Sequence, residues 1–468
     1  MTAVLPEEEV IAATILRARS AAEKVEYWTQ RRVDTMIAAV GWHCYREDNV
    51  RAMSQFAYQS TGLGDAEEMF SLHRRRVLGT LRDLHGVTTI GVVDAQPARG
   101  TIRLAKPVGV VAATCPTTAP CSTAVCIALP VLKTRNALIL IPSPRGSDAV
   151  SMAVSALREG LENAGAPADL VQCSLTPTKE SAMALMRSAD LVMATGGDRA
   201  LRRAYSTGTP AIGAGVGNAT VIVDETADIQ DAARKIAVGA CLNNGTSCSS
   251  ESNVLVHESI ESPFRAELQR HGVHVCEPAE VSRLRSLLWP DHTRMDRRVV
   301  GRPAERLAAD LNIDLGGHTI SSLAAPLPAV DLSDPLFGEK LSPVFTLVRY
   351  QHFDRAINNV QDILDRSGRG HSCGIHTQTQ DRVMDLASQV HCARVLVNQS
   401  IAIGNSGSFD NGLPFSPTVA CGTWGGCAHS ENITWRNFLN YTTVSRTIPP
   451  IPPDEEVIFA ALRQVESC

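Results

Sequence analysis

One segment of the sequence combines a cysteine with the small hydroxylic residues that expose side chains on turns. It reads NNGTSCSSESN, from Asn243 to Asn253, and it follows a predicted helix. A thiolate at Cys248 could attack a carbonyl carbon, and N–H groups of the following turn could hold the resulting oxyanion. The alternative is a small buried cysteine that serves packing alone. The segment makes Cys248 a candidate covalent nucleophile.

Cysteine usage argues against two other chemistries. The chain has 13 cysteines among 468 residues, none of them spaced as CxxC. Three lie inside apolar runs, namely Cys115, Cys126 and Cys392. Disulfide frameworks and zinc sites normally draw on regularly spaced or closely paired cysteines. We therefore expect reduced, mostly buried thiols, a cytoplasmic location and no metal site.

Charge and hydropathy exclude two classes of partner. The formal net charge is -5, and the scattered lysines and arginines offer no basic stripe to a nucleic-acid backbone. No run reaches the roughly 18 apolar residues of a membrane helix. The N-terminus carries Glu7, Glu8 and Glu9 rather than a basic signal region. We expect neither nucleic-acid nor membrane binding.

The order of predicted elements indicates an α/β protein. The chain is helical as far as His85, and residues 108–240 then alternate strands such as VGVVAAT, ALILI and LVMAT with helices. The helix after Ser147 places four apolar residues on one face: Val150, Val154, Leu157 and Leu161. This alternation predicts a doubly wound parallel sheet that binds a nucleotide.

A predicted hairpin and several breaks divide the chain. Residues Thr89–Leu104 form the hairpin, which needs a partner surface, while Pro326 and Pro328 predict a break between strands. We predict three units: a nucleotide-binding lobe (1–88 and 105–242), an α/β catalytic lobe (243–432), and a small β oligomerisation element (89–104 and 433–468). A homodimer or homotetramer is expected.

Seven motifs run in register from Pro107 to Gly426. They are PVGVVAATCPTTAP, LKTRNALILIPSPRG, ATGGDRALRRAYSTGTPAIGAGVGN, NNGTSCSS, EKLSPV, GRGHSCGIHT and CGTWGG. In this order they resemble the CoA-acylating branch of the aldehyde dehydrogenase superfamily, near the succinate-semialdehyde, sulfoacetaldehyde and acetaldehyde enzymes. The resemblance implies the aldehyde dehydrogenase fold and oxidation of a small aldehyde to acyl-CoA. It implies NAD or NADP as cofactor and coenzyme A as co-substrate.

The resemblance assigns three catalytic residues. Cys248 matches the family's nucleophile, which forms a thiohemiacetal and then a thioester. Thr118 stands near the oxyanion-binding asparagine of hydrolytic relatives, although a helix N-cap is an equal interpretation. His371, in GRGH, matches a histidine that assists CoA or proton handling, and a structural histidine is the alternative.

A missing glutamate bears on how the thioester is released. Hydrolytic relatives carry a glutamate at the start of the segment GAGVGNATVIVD, where this chain has Gly213 and Ala214. Without a general base water attacks a thioester poorly, whereas the thiolate of CoA is a good nucleophile. The sequence favours thiolysis over hydrolysis.

Cofactor contacts follow from the same resemblance. The residues concerned are Pro116, Ser143, Arg145, Gly196, Gly197, Gly215, Glu339 and Pro343. Gly196 and Gly197 suit a turn that approaches a pyrophosphate, or a plain strand-to-helix turn. Glu339 would bond the nicotinamide ribose unless it is a solvated surface residue. Arg145 could face the adenosine phosphate of NADP or CoA, or pair with a surface carboxylate.

Two features leave alternatives open. Cys427 follows TWGG where the acylating branch commonly has asparagine. A terminal helix from Asp454 has an apolar face formed by Ile458, Ala461, Leu462 and Val465. That face could dock into a protein compartment shell or pack on a neighbouring subunit.

Two rival functions remain at this point. A hydrolytic or glutamyl-phosphate-reductase-like enzyme of the same fold would turn over aldehyde without CoA, and the missing glutamate argues against it. A non-catalytic scaffold would have no reactive cysteine and bind no cofactor, and the intact NNGTSC and EKLSPV motifs argue against that.

Overall fold

The computed structural model describes residues 7–174 and 178–462. It begins with four helices, as the sequence predicts: α1 (Glu7–Val25), α2 (Gln30–Tyr45), α3 (Glu47–Thr61) and α4 (Ala66–Leu84). Gly62 ends α3 in the left-handed conformation, and Asp65 caps α4 by accepting the N–H groups of Glu67 and Glu68 at 2.9 Å. These caps fix the positions at which α3 ends and α4 begins.

The predicted hairpin is confirmed. Strands β1 (Gly91–Gln96) and β2 (Thr101–Pro107) pair antiparallel around a turn at Pro97–Arg99, and Gly100 supplies the left-handed residue that closes it. The sequence prediction of a hairpin succeeded because turn residues separate two runs of strand-forming residues.

A five-stranded parallel sheet follows the hairpin. Its elements are β3 (Val110–Cys115), α5 (Pro120–Lys133), β4 (Ala137–Pro142), α6 (Ser147–Asn163), β5 (Val171–Cys173), α7 (Lys179–Ser188), β6 (Leu191–Thr195), α8 (Asp198–Tyr205) and β7 (Ala211–Ala214). The strand order is β5-β4-β3-β6-β7, with every pair parallel. The order in which strands are added to the sheet therefore reverses at β3, which lies between β4 and β6. Ligands bind at the carboxyl ends of the strands at such a reversal.

A second, seven-stranded parallel sheet completes the α/β architecture. Its elements are β8 (Thr220–Val223), α9 (Ile229–Cys241), β9 (Asn253–His257), α10 (Glu261–Arg270), β10 (Val273–Val275), α11 (Pro278–Leu288), α12 (Ala304–Asp310), β11 (Ser322–Leu327), β12 (Val344–Tyr350), α13 (Phe353–Arg366), β13 (Cys373–His376), α14 (Gln380–Gln389), β14 (Val395–Val397) and α15 (Ile401–Gly404). The strand order is β10-β11-β12-β9-β8-β13-β14.

The break predicted at Pro326 is wrong, whereas the one predicted at Pro328 is confirmed, because strand β11 (Ser322–Leu327) ends directly before it. Strand β11 continues through Pro326, which pairs with Leu347 of β12. On its other side β11 pairs with β10 only as far as Ala324, opposite Val275. Proline is tolerated there because no further ladder hydrogen bond is required on that side.

The C-terminal segment returns to the hairpin. Strand β15 (Leu439–Ser445) pairs antiparallel with β2 and makes a three-stranded sheet of order β1-β2-β15. Beyond it, α16 (Glu455–Ile458) carries the exposed side chain of Ile458, and Leu462, four residues after the helix, is exposed as well. Val465, predicted on the same apolar face, lies outside the described residues.

Helix α5 lies at the centre of the first sheet's packing. All its residues are buried, including Lys133, whose ammonium group pairs with Asp34. The helix begins at Pro120, immediately after β3, so its N-terminus is held at the carboxyl edge of the sheet. Across the described residues, none of the helices has the length and apolar character needed to cross a bilayer.

Candidate active site

A cleft of about 280 Å³ lies at the reversal between β3 and β6. Seven residues predicted from the sequence line it together: Pro116, Thr118, Gly196, Gly197, Gly215, Cys248 and Glu339. Thr114 of β3 ties the two strands, since its hydroxyl donates to the Thr195 carbonyl at 2.9 Å and accepts the Thr195 N–H at 2.7 Å. The fold brings the candidate nucleophile to the predicted nucleotide-binding edge.

The turn that carries Cys248 is held by an asparagine and a glycine. Asn243 has a φ of 50°, and its side chain accepts the Asp65 N–H at 3.0 Å and donates to the Thr118 carbonyl at 3.2 Å. A Cβ atom on Gly217 would lie 1.9 Å from the Cys248 carbonyl oxygen. The turn between α9 and β9 is thus fixed by contacts distant in sequence.

The Cys248 thiol is protonated at neutral pH. Burial raises its pKa to about 11, and the nearby Glu339 carboxylate adds to this, while Arg76 opposes it. A raised pKa means that the thiol must lose its proton during attack rather than before it. The cleft therefore holds a thiol in the absence of other ligands.

Two N–H groups of the turn that follows Cys248 are already hydrogen-bonded within the protein. In the following turn, Ser249 donates its N–H to the Ser247 hydroxyl at 3.2 Å and Ser250 donates its N–H to the Ser247 carbonyl at 3.0 Å. Within the described residues, the N–H of Cys248 itself donates to no protein acceptor. The free donor is on the nucleophile's own residue.

Thr118 faces the cleft just before α5. The N-cap of that helix is Ala119, not Thr118, so the capping interpretation of Thr118 is wrong by one residue. Its hydroxyl has no hydrogen-bond partner among the described residues and is available to a ligand.

Strand β7 supplies no carboxylate to the cleft. Ala214 lines it, whereas a Cβ atom on Gly213 would lie 2.6 Å from Leu201 Cδ1 and 2.8 Å from the Ala194 carbonyl oxygen. Gly213 therefore faces packed protein. Of the described residues that line the cleft, Glu339 alone carries a carboxyl group.

Glu339 is positioned by its neighbour in the chain. The buried ammonium group of Lys340 donates to the carbonyls of Ser252 and Gly338, at 2.8 and 3.2 Å, and to the Ser252 hydroxyl at 3.0 Å. Burial raises the pKa of Glu339 to about 8, and its carboxylate accepts the Gly217 N–H. Sequence reasoning did not identify Lys340, because a lysine in a loop ordinarily reaches solvent.

The cleft fits a dinucleotide at its glycine turn. Gly196 has a φ of 148°, and a Cβ atom on Gly197 would meet nothing within 4 Å, so the backbone before α8 is open to a ligand. The Glu339 carboxylate accepts a hydrogen bond from the Gly217 backbone and has no side-chain donor among the described residues, so it can accept hydroxyl groups of a ribose. These residues suit NAD or NADP.

Four predicted residues lie outside the cleft lining. Ser143 and Arg145 follow β4 at the same sheet edge, where Ser143 hydrogen-bonds Thr117 at 2.5 Å and Arg145 is exposed. Pro343 packs against Gly245 and supports the loop of Glu339. His371 is fully buried, which lowers its pKa to about 3. Their proposed roles stay predictions.

Three glycines pack backbone against backbone behind the cleft. Gly217 contacts Cys248, as described above. A Cβ atom on Gly370 would lie 1.9 Å from the Cys421 carbonyl oxygen, and one on Gly425 would lie 2.6 Å from the Arg369 carbonyl oxygen. The Cys421 sulfur in turn accepts the Gly215 N–H at 3.3 Å. We call Gly217, Gly370 and Gly425 the close-packed glycines.

Arg76 is a cleft residue that sequence reasoning missed. It lies on α4 and lines the cleft with Leu72, one turn earlier. Its Nε atom is buried without a partner, and its one hydrogen bond within the described protein runs from Nη1 to Ser122 Oγ at a long 3.4 Å. The signal that could have identified Arg76 is its position on α4, since it lies next to the helix face formed by His73, Val77 and Thr80, which is buried.

Comparison with known proteins identifies the class. The model of the Aldehyde dehydrogenase family matches residues 46–275. The chain belongs to this family.

Its relatives place it in the CoA-acylating branch, an oxidoreductase class that uses NAD(P)+ and CoA. It is 39% identical to a sulfoacetaldehyde dehydrogenase (acylating) from Cupriavidus necator, over 96% of this chain and 91% of that protein. It is 31% identical to a succinate-semialdehyde dehydrogenase (acetylating) from Clostridium kluyveri, over 94% and 96%. An acetylating aldehyde dehydrogenase structure from Geobacillus thermoglucosidasius superposes with a TM-score of 0.90 at 28% identity, covering 96% and 98%.

Proposed function

We propose that this chain oxidises sulfoacetaldehyde to its CoA thioester with NAD(P)+, using Cys248 as the covalent nucleophile. The observation that carries the mechanism is a cleft that holds Cys248 beside a dinucleotide turn but has no carboxylate at Ala214. The substrate rests on similarity, since identity to the sulfoacetaldehyde enzyme is 39% against 31% for the succinate-semialdehyde enzyme.

In the first step the Cys248 sulfur bonds to the aldehyde carbon and its proton passes to solvent. The carbonyl oxygen becomes an oxyanion, which the free Cys248 N–H and the Thr118 hydroxyl stabilise. Each is a single donor, and both belong to segments tied together through Asn243. The Thr118 hydroxyl thus takes the place in the oxyanion site that an asparagine side chain has in hydrolytic relatives.

Oxidation requires a hydride acceptor, which NAD(P)+ supplies when bound. Gly196 and Gly197 allow close approach of its pyrophosphate, and Glu339 accepts from its ribose hydroxyls. Lys340 holds the Glu339 loop against the strand that follows Cys248. These residues orient the cofactor. Loss of the hydride from the former aldehyde carbon, as the oxyanion re-forms its C=O bond, leaves a thioester on Cys248.

The thioester is released by CoA. The CoA sulfur attacks the acyl carbon, the bond to Cys248 breaks, and the proton of the CoA thiol restores the Cys248 thiol. No general base from β7 activates water, so hydrolysis is slow. The products are acyl-CoA and reduced cofactor, and the reverse direction uses the same residues.

Steady-state formation of NAD(P)H tests this proposal. We expect turnover of sulfoacetaldehyde that requires CoA and is abolished in Cys248→Ala, with Cys427→Ala as a thiol control outside the cleft lining. Sustained turnover without CoA would instead establish hydrolysis, and absence of turnover with every aldehyde tested would indicate a scaffold.

We propose further that the enzyme is a cytosolic homo-oligomer. All twelve described cysteines are free thiols, which suits a reducing compartment. The tail exposes apolar side chains at Ile451, Val457 and Leu462 (81%, 73% and 61%), which suits burial against another subunit. Light scattering of the full chain and of Ile451→Asp tests this, and a monomeric wild type would favour docking of the tail to another protein.

A further inference from the structure

We propose that Arg76 binds the negatively charged end of the aldehyde and so selects small anionic aldehydes over uncharged ones. The inference rests on the proposed function, because it concerns the substrate that Cys248 attacks. It concerns a residue of α4 rather than any of the sequence motifs.

The Arg76 guanidinium has no counter-ion among the described residues. No carboxylate pairs with it anywhere in the described ranges 7–174 and 178–462, its Nε atom is buried without an acceptor, and Ser122 Oγ is 3.4 Å from Nη1. Burial lowers the pKa of Arg76, although an arginine stays charged. A buried charge without a partner is costly unless an anion arrives to pair with it.

The lining of the cleft contains few ionisable side chains that could neutralise Arg76. Among described lining residues, Arg76 and Glu339 alone carry ionisable charge besides Cys248. Burial raises the pKa of Glu339 to about 8, so at pH 7 that carboxyl group is largely neutral. The cleft is therefore positive when substrate enters, which favours an anion.

The guanidinium group of Arg76 is chemically suited to bind the anionic end of such an aldehyde. A guanidinium group presents parallel N–H donors that match two oxygens of a sulfonate or carboxylate. The neighbouring arginines on α4 are engaged elsewhere: Arg75 donates to Ser408 Oγ at 3.0 Å, and Arg74 donates to Tyr45 at 3.0 Å. Only Arg76 of the three lines the cleft with Cys248.

Arg76 also lowers the pKa of Cys248, so its removal slows attack on every aldehyde. The test must therefore compare substrates within one variant. We would measure kcat/KM for sulfoacetaldehyde and propionaldehyde, with CoA and NAD(P)+, in the wild type, Arg76→Gln and Arg76→Lys. Arg74→Gln is the matched control, since it removes an arginine from the same helix outside the cleft.

We expect Arg76→Gln to lower the ratio of kcat/KM values, sulfoacetaldehyde over propionaldehyde, by about 100-fold, the usual effect of removing a charged hydrogen-bond partner. Arg76→Lys should restore part of the ratio, and Arg74→Gln should leave it unchanged. Equal losses for both substrates would overturn the proposal and assign Arg76 to Cys248 alone. An unchanged ratio would overturn it too.

An equilibrium measurement supports the kinetic one. Isethionate, an unreactive hydroxyethanesulfonate, should protect Cys248 of the wild type from iodoacetamide in a saturable manner, and should fail to protect Arg76→Gln. Equal protection of both proteins would refute the assignment. If the wild type turns over no aldehyde at all, the proposed function fails, whereas protection by isethionate still reports on Arg76.

Discussion

The reactivity of Cys248 as a function of pH gives a sharp test of the site's electrostatics. Its pKa of about 11 lies two units above the 9.0 of an unperturbed thiol. At 1.36 kcal/mol per unit, the enclosed thiolate is disfavoured by about 2.7 kcal/mol. The thiolate fraction at pH 8 is then about 0.1%, against about 10% for an unperturbed cysteine, and alkylation of Cys248 is about 100-fold slower.

The assay is the initial rate of Cys248 carbamidomethylation by iodoacetamide, followed by peptide mass spectrometry without cofactor or CoA. We expect the rate to rise about tenfold per pH unit from 7 to 10, without a plateau. Glu339→Gln should accelerate alkylation above about pH 8, where Glu339 is ionised, and have no effect at pH 6. A plateau between pH 7 and 8 would show a stabilised thiolate and refute the reasoning.

Three further predictions concern residues around the cleft. Lys340→Met removes the donor of four hydrogen bonds, so we expect about 3 kcal/mol less stability in urea unfolding and a raised KM for NAD(P)+. Glu251 is buried with a pKa of about 8, above its unfolded value of 4.5, so wild-type stability falls as pH rises from 4.5 through 8. Glu251→Gln removes that fall, and its melting temperature should exceed that of the wild type increasingly between pH 5 and 9. Gly217→Ala displaces the Cys248 carbonyl, so kcat should drop at least about 100-fold while the circular dichroism spectrum is retained.

The sequence predicted those parts of the fold that depend on local patterns. Alternating apolar strands and helices anticipated a parallel sheet with its ligand edge, and turn residues anticipated the hairpin β1–β2. Pro326 misled the prediction because the extent of the neighbouring strand, which decides whether its missing N–H matters, is a tertiary property.

The site was predictable where a residue's chemistry and its local segment coincide. Cys248, Glu339 and the turn at Gly196 sit in motifs that can be read along the chain. Arg76 and Lys340 were missed because their burial arises from segments far away in sequence, α5 for Arg76 and the start of β9 for Lys340. The free N–H of Cys248 could not be predicted, since the hydrogen bonds that the next turn makes to Ser247 cannot be read from composition.

The close-packed glycines determine which parts of this enzyme can be redesigned. At Gly217, Gly370 and Gly425 even a methyl group meets a carbonyl oxygen or a side chain within 2.6 Å, so a larger residue there displaces the backbone whatever the substrate. The side of the cleft formed by side chains, Leu72 and Arg76 of α4 with Val419 opposite, has no such constraint. A library aimed at new aldehydes should therefore randomise these three positions and hold the glycines constant.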